Sequence, residues 1–161
     1  MRMSSLPFSV EPKSRRVVGR PMEIALIEDN LRDAGLTIEA LRSGKVEHRL
    51  TILCDGEEAL EFLRRQGQFA RAPRPDLILL DLHLPKIDGL EVLAEIKADD
   101  DLQGIPVVVL TGSDDERDRW RCQILSVVTF LTKPVNLEKF LGLVKQLEKH
   151  WLADVILPAV E

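Results

Sequence analysis

The chain has 161 residues, of which 45% are hydrophobic and 30% are charged, and this fits one globular domain with a substantial core and leaves no room for a second full domain. A net charge of −5 and a pI near 5.3 give no general electrostatic attraction to nucleic acid, which proteins usually bind through clustered Lys and Arg. No apolar stretch approaches the roughly 18 residues that a membrane helix needs, so we expect a soluble, cytoplasmic protein whose partners are other proteins.

The chain opens with a segment that does not have the pattern of a folded domain. Residues 1–21 carry prolines, serines and arginines but no continuous apolar core of signal-peptide length, so they are predicted to be a disordered leader. Cys54 and Cys122 lie far apart and outside any CxxC spacing. Neither a disulfide framework nor a zinc site is therefore indicated, and both cysteines are expected to be small buried apolar residues in a reducing compartment.

From Met22 onward, short apolar runs alternate with longer amphipathic segments. Strands are predicted at 23–27, 46–54, 77–80, 105–110 and 127–131, and helices at 31–43, 55–66, 89–98, 114–125 and 136–151. Gly44 is expected to cap the first helix, and Asp55 with Glu58 to form a capping box at the start of the second. The segment 67–75, with one glycine and two prolines, is predicted to be a long loop.

Five strands alternating with five helices, with central strands apolar on both faces, indicate a parallel sheet covered by helices on each side. The predicted fold is a doubly wound (βα)5 α/β domain of flavodoxin-like type, over residues 22–151, with strand order 2-1-3-4-5. Ligands of such sheets bind at the carboxyl ends of the strands, near the point where the strand order reverses.

Polar side chains follow four of the predicted strands. Glu28 and Asp29 follow the first, Asp81 the third, Thr111 the fourth and Lys133 the fifth. Clustered carboxylates repel one another unless they hold a proton or a cation, and ligands that are all oxygen suit Mg²⁺. With a hydroxyl and an ammonium opposite, such a site can hold a phosphoryl group, and Asp81 can be its nucleophile.

Each of these residues also has an ordinary structural explanation. Glu28 and Asp29 can be a helix-capping pair. Thr111, with Ser113, can be a turn or N-cap group, and Lys133 can be a solvated side chain. The placement of all of them on four strand ends favours the phosphoryl site.

The chain from Met22 to Trp151 resembles the receiver domains of two-component response regulators, of the CheY-like kind. Asp81 stands thirty residues before Thr111, Phe130 nineteen after it, and Lys133-Pro134 follows. The resemblance implies that Asp81 is the phospho-acceptor and that Asp29 binds Mg²⁺ directly and Glu28 through water, with the main-chain carbonyl of His83 as a further metal ligand. It also implies three roles for residues near the fourth and fifth strands: Thr111 and Lys133 bind phosphoryl oxygens, Phe130 is an aromatic switch, and the Lys133-Pro134 bond is cis.

The loop GQFARAPRPDLILLDLHLP and the ending HWLADVILP are similar to those of single-domain response regulators that work with bacterial phytochrome histidine kinases. The apolar extension 152–161 either folds back on its own domain or forms a dimer contact, and we expect a homodimer through the fourth helix, fifth strand, fifth helix and this extension. His83 and Ser113 depart from the commonest receiver residues at their positions. His83 is expected either to alter the lifetime of the phosphoryl group or to be an exposed loop imidazole.

The predicted function is a phosphorylation-controlled signalling module rather than an enzyme, one that catalyses its own phosphotransfer and dephosphorylation. It is expected to act by changing its protein partners, or alternatively to relay the phosphoryl group onward. An aspartyl-nucleophile phosphohydrolase is disfavoured because His83 stands where such enzymes place a second Asp. A DNA-binding regulator would need an output domain, and only about ten residues follow Trp151, too few for a helix-turn-helix.

Overall fold

The computed structural model describes residues 19–112, 120–121 and 129–147, and within them it contains a five-stranded parallel sheet. The strands are β1 (Met22–Ile27), β2 (His48–Leu53), β3 (Leu77–Asp81), β4 (Val107–Thr111) and β5 (Phe130–Thr132). The helices are α1 (Leu31–Ser43), α2 (Gly56–Leu63), α3 (Gly89–Ala98) and α4 (Leu137–Leu147, where the described range ends), and a 3-10 turn spans Gly67–Phe69. The strand order β2-β1-β3-β4-β5 confirms the predicted doubly wound topology.

The sheet is buried on both faces because side chains alternate along its central strands. In β3, Ile78 and Leu80 belong to an apolar cluster with α2 and α3, while Leu77 and Leu79 belong to a second cluster with α1 and α4. All five residues of β3 are buried, Asp81 included. Helices therefore cover each face, as the apolar runs predicted.

Several element ends differ from the predicted ones, and hydrogen bonds explain the differences. β4 begins at Val107 rather than 105, because the Ile105 N–H donates back to the Leu102 carbonyl and Pro106 has no N–H to give. β2 begins at His48 rather than 46, because the Val46 N–H donates to the Leu41 carbonyl at the end of α1.

The other differences lie at the end of α2, in the loop after it and in β5. Helix α2 ends at Leu63, short of the predicted 66, as Arg65 takes a left-handed φ of 55°. The predicted loop 67–75 contains the 3-10 turn. Of the strand predicted at 127–131, residues 127 and 128 lie outside the described ranges; within them the last strand runs over 130–132, and its pairing with β4 aligns Phe130 with Val109.

The helix caps largely follow the prediction. Gly44 ends α1 with its N–H on the Ala40 carbonyl. The Asp55 side chain accepts from the Glu58 N–H at 2.7 Å, whereas the Glu58 carboxylate returns to the Cys54 N–H, one residue before the N-cap, at 2.9 Å.

Some predictions lie wholly or partly outside the described residues. Of the predicted helix at 114–125, only Trp120 and Arg121 are described, and both are helical. The extension 152–161, Ser113 and Cys122 are outside the described ranges. Cys54 is described and is exposed, so the prediction that it is buried is wrong.

At the other end of the chain, Arg20 binds both carboxylate oxygens of Asp76, at 2.7 and 2.9 Å, so contacts with the domain begin before Met22. Among the helices that the structure describes, none combines the length and the apolar character needed to cross a membrane.

Candidate phosphoryl and metal site

The carboxyl ends of β1 and β3 bring the predicted acidic residues together. Glu28 is fully buried and Asp81 is 4% exposed, while Asp29 is exposed beside them. One carboxylate oxygen from each residue lies within 4.8 Å of the others. Of the clusters of His, Cys, Asp and Glu in the described ranges, this is the one whose geometry could hold a metal ion.

The ammonium of Lys133 reaches the same place from the end of β5. Its Nζ donates to Glu28 Oε1 at 3.1 Å, to Asp33 Oδ2 at 2.8 Å and to Asp81 Oδ2 at 3.2 Å. The lysine side chain is 14% exposed, so the alternative of a solvated lysine is wrong. The three hydrogens of the ammonium find three carboxylates.

Asp33 is a residue of the candidate site that the sequence analysis did not single out. It lies in the first turn of α1, with its backbone N–H on the side chain of the N-cap Asn30 at 3.0 Å. One signal was available: Asp33 follows Asp29 by one helical turn, at the edge of the sheet where ligands bind. The alternative of a capping pair at Glu28 and Asp29 is wrong in its main point, since Asn30 supplies the cap and Glu28 only accepts from the Asn30 N–H at 3.3 Å.

Crowding of the carboxylates changes the proton affinity of the site. Burial raises the pKa of Glu28 to about 7, and the hydrogen bond and charge of Asp81 add to the rise while Lys133 opposes it. For Lys133, burial by itself lowers the pKa. Hydrogen bonds to Asp33 and Glu28 and the charges of Asp81 and Glu28 raise it by more, so the net pKa lies above its ordinary value.

This donor set fits a hard divalent cation. All the side-chain ligands are carboxylate oxygens, and a cation among them would remove the repulsion that favours a proton on Glu28. A cavity of about 440 Å³ opens at the cluster and is bordered by Asp29, Asp33, Asp81, His83 and Lys133, among others. It has room for both a cation and a phosphoryl group.

The loop after β3 depends on Gly89, which lies close to the backbone of Asp81 and Leu82. A Cβ on Gly89 would lie 2.4 Å from Leu82 Cα and 2.5 Å from the Asp81 carbonyl oxygen. The Gly89 N–H donates to the Leu82 carbonyl at 2.9 Å, and the His83 N–H donates to Asp81 Oδ1 at 3.1 Å. The start of α3 is thereby pressed against the backbone that carries Asp81, and the His83 side chain is exposed at the cavity.

The remaining predicted residues lie on β4 and β5. Thr111 ends β4 and is 8% exposed, so it is a buried strand residue rather than a turn. Its carbonyl accepts from the Lys133 N–H at 2.7 Å, which ties the lysine to the end of β4. Phe130 begins β5 and is half-buried against the α2–α3 side of the core. The Lys133-Pro134 bond is cis, as predicted.

Comparison with known proteins shows the family to which the chain belongs. The family model of the response regulator receiver domain matches residues 24–145. The chain belongs to the response regulator receiver family. Response regulator Rcp1 of Synechocystis sp. is 49% identical over 139 residues, which are 86% of this chain and 95% of that protein. The Mn²⁺-bound structure of Rcp1 covers the same 86% of this chain and 100% of its own, with a TM-score of 0.68.

Two further solved receivers are similar to this one. The bacteriophytochrome response regulator AtBRR is 40% identical, with a TM-score of 0.74, over 83% of this chain and 96% of its own. The phosphorylated cyanobacterial phytochrome response regulator RcpA is 47% identical, with a TM-score of 0.69, over 86% of this chain and 99% of its own. The receiver is thus a phosphoryl-accepting signalling protein, similar to response regulators named for phytochromes.

Proposed function

We propose that this receiver takes a phosphoryl group from a sensor histidine kinase onto Asp81, and that Lys133, Thr111 and a divalent cation assist the transfer. The observation that carries the proposal is the buried Asp81 carboxylate, which lies 3.2 Å from the Lys133 ammonium and within 4.8 Å of Glu28 and Asp29 oxygens. A carboxylate held by an ammonium at an open cavity is well placed to attack phosphorus.

The transfer exchanges one bond for another. A carboxylate oxygen of Asp81 forms a bond to phosphorus as the bond from phosphorus to the phosphohistidine nitrogen breaks, and that nitrogen keeps the electron pair. Lys133 then donates to a phosphoryl oxygen in place of Asp81 Oδ2, and the Thr111 hydroxyl supplies a second donor. Attack of water at phosphorus releases inorganic phosphate and restores the Asp81 carboxylate, and His83, exposed two residues after Asp81, is placed to influence that rate.

Glu28, Asp29 and Asp81 would hold the cation, with the His83 carbonyl as a further ligand, and Mg²⁺ is the ion we assign. When bound, the cation would neutralise negative charge on the phosphoryl oxygens. Rcp1 has been crystallised in a form with bound Mn²⁺, which supports a divalent ion in this family. Because Mg²⁺ and Mn²⁺ both bind oxygen ligands, the ion that occupies the site depends on which of them is available in the cell.

The kinase partner that we propose is a phytochrome-type histidine kinase in the cytoplasm. Support comes from AtBRR and RcpA, whose names tie them to a bacteriophytochrome and a cyanobacterial phytochrome. Their similarity extends over more than four-fifths of this chain.

We further propose that phosphorylation is transmitted through Thr111 and Phe130 to a dimer surface formed by the predicted helix at 114–125, β5, α4 and the extension 152–161. Two observations support a partner there. Trp120 is 62% exposed, and a groove of about 350 Å³ runs between β5 and α4, bordered by Phe130 and Leu143. Size-exclusion chromatography with light scattering, with and without beryllofluoride and Mg²⁺, tests this surface. A monomer under every condition contradicts it.

The acceptor is tested by phosphotransfer from a radiolabelled phytochrome kinase, with Asp81→Asn as the critical variant. Asp100→Asn is the matched control, because Asp100 is exposed beyond the end of α3. We expect label on wild type and on the control but none on Asp81→Asn. Label on Asp81→Asn at the wild-type level contradicts the assignment, and label that passes to a histidine protein indicates a relay.

A further inference from the structure

We propose that Asp33 is a positioning residue of the phosphorylation site: its carboxylate anchors the Lys133 ammonium beside Asp81, so that the ammonium can pass to an incoming phosphoryl oxygen. The shortest of the three lysine contacts is the one to Asp33, at 2.8 Å against 3.1 and 3.2 Å for Glu28 and Asp81. This inference rests on the proposed function of Asp81.

The ordinary structural role of an acidic residue at this helix position is not the one that Asp33 has. An acidic side chain three residues after the N-cap usually returns to the N–H of the N-cap residue. Here the Asn30 N–H donates to Glu28 Oε2 at 3.3 Å, and the Asp33 carboxylate turns to Lys133 instead. The Asp33 backbone is fixed independently, through its N–H to Asn30 and its carbonyl to the Thr37 hydroxyl. The helix therefore fixes the Asp33 backbone, while the Asp33 carboxylate accepts a hydrogen bond from Lys133.

The three lysine contacts differ in what phosphorylation would do to them. Glu28 and Asp81 belong to the cluster that could bind a cation, and Asp81 is also the proposed acceptor, so both would change partners. Asp33 is outside that cluster. Its side chain is 29% exposed, at the mouth of the cavity, while those of Glu28 and Asp81 are 0% and 6% exposed. Asp33 can therefore keep its hydrogen bond from the ammonium throughout, while the hydrogen bond that Lys133 donates to Asp81 Oδ2 is given up for one to a phosphoryl oxygen.

Asp33 could act on phosphorylation through its negative charge or by anchoring Lys133, and the two roles predict opposite effects of substitution on the rate. If Asp33 acted only through its negative charge, it would repel the phosphoryl group, and any neutral substitution would accelerate phosphorylation. If it anchors the lysine, loss of the acceptor oxygen slows phosphorylation, and asparagine, which keeps an oxygen in the same place, largely rescues it. A long lysine side chain without its anchor has many rotamers available, and only a few of them reach Asp81.

The experiment compares wild type, Asp33→Ala and Asp33→Asn in the rate of phosphorylation by acetyl phosphate with Mg²⁺. Glu91→Ala is the matched control, because Glu91 is an exposed acid in the first turn of α3. We expect Asp33→Ala to be about five- to tenfold slower, from loss of one charge-assisted hydrogen bond at a partly exposed site. Asp33→Asn should stay within about threefold of wild type, and Glu91→Ala should not differ from it.

A second measurement reports on the lysine itself. The ¹⁵N-labelled ammonium signal of Lys133, assigned by its loss in Lys133→Ala, should exchange faster with water in Asp33→Ala than in wild type. An ammonium exchange rate in Asp33→Ala equal to that of wild type overturns the anchoring role and leaves the proposed function intact. A phosphorylation rate in Asp33→Ala equal to or above that of wild type does the same. Absence of phosphorylation in wild type, with a normal lysine signal, overturns the proposed function instead.

Discussion

Glu28 gives the metal site a pH dependence that can be worked out from its surroundings. With its pKa raised to about 7 by burial and by Asp81, Glu28 in the cation-free receiver is about nine-tenths protonated at pH 6 and about one-tenth at pH 8. A cation needs the carboxylate ionised, so binding expels this proton. The apparent affinity for Mg²⁺ should therefore rise about tenfold between pH 6 and pH 8.

The direction of this effect follows from the raised pKa. Below pH 7 the proton competes with the cation, and above it the competition disappears, so affinity rises with pH and then levels off. Calorimetric titration with Mg²⁺ in buffers of different ionisation enthalpy measures both quantities. We expect release of about 0.9 proton per ion at pH 6 and about 0.1 at pH 8.

Two variants identify the group. In Glu28→Gln the pH dependence should disappear, because the amide cannot take up the proton. His83→Gln should retain it, although His83 borders the same cavity. An affinity for Mg²⁺ that is constant from pH 6 to pH 8 in wild type would refute the reasoning.

Three further predictions concern stability, measured as the free energy of unfolding in urea. Gly89→Ala should lower the free energy of unfolding by about 1–3 kcal/mol and slow phosphorylation, because the added methyl would lie 2.4 Å from the Leu82 backbone. An unchanged free energy of unfolding and an unchanged rate would contradict the close approach. Gly35→Ala, inside α1 with open space around its Cβ position, should raise it by about 0.5–1 kcal/mol, and a loss would contradict that. Arg20→Ala should lower the free energy of unfolding by about 1 kcal/mol, since its ion pair with Asp76 is partly buried. Arg32→Ala, at an exposed position, is the control. A loss in Arg20→Ala no larger than that in Arg32→Ala would show that the ion pair contributes nothing.

The parts of the molecule that sequence predicts well are those set by local patterns. The bounds of α1 and α3 match the prediction, since apolar spacing defines them and the chain changes direction on either side. The strand order and the convergence of Glu28, Asp81 and Lys133 followed once the strands were recognised, because parallel strands end at one edge of the sheet.

What the sequence could not give depends on side-chain direction and on long-range hydrogen bonds. The spacing of Asp33 suited a helix N-terminus equally well, and only the path of the Lys133 side chain from β5 distinguishes the two roles. The start of β5 depends on its register with β4, which is set by the partner strand and not by the residues of β5 alone.

The proposed acceptor is tested most directly by locating the acyl phosphate. Wild type is phosphorylated with acetyl phosphate and Mg²⁺, reduced with borohydride, which converts an aspartyl phosphate into homoserine, digested and sequenced by mass spectrometry. We predict homoserine at position 81 and unchanged aspartate at positions 29 and 33. Homoserine at position 29 or 33, with aspartate intact at 81, would contradict the assignment of Asp81 as the residue that carries the phosphoryl group.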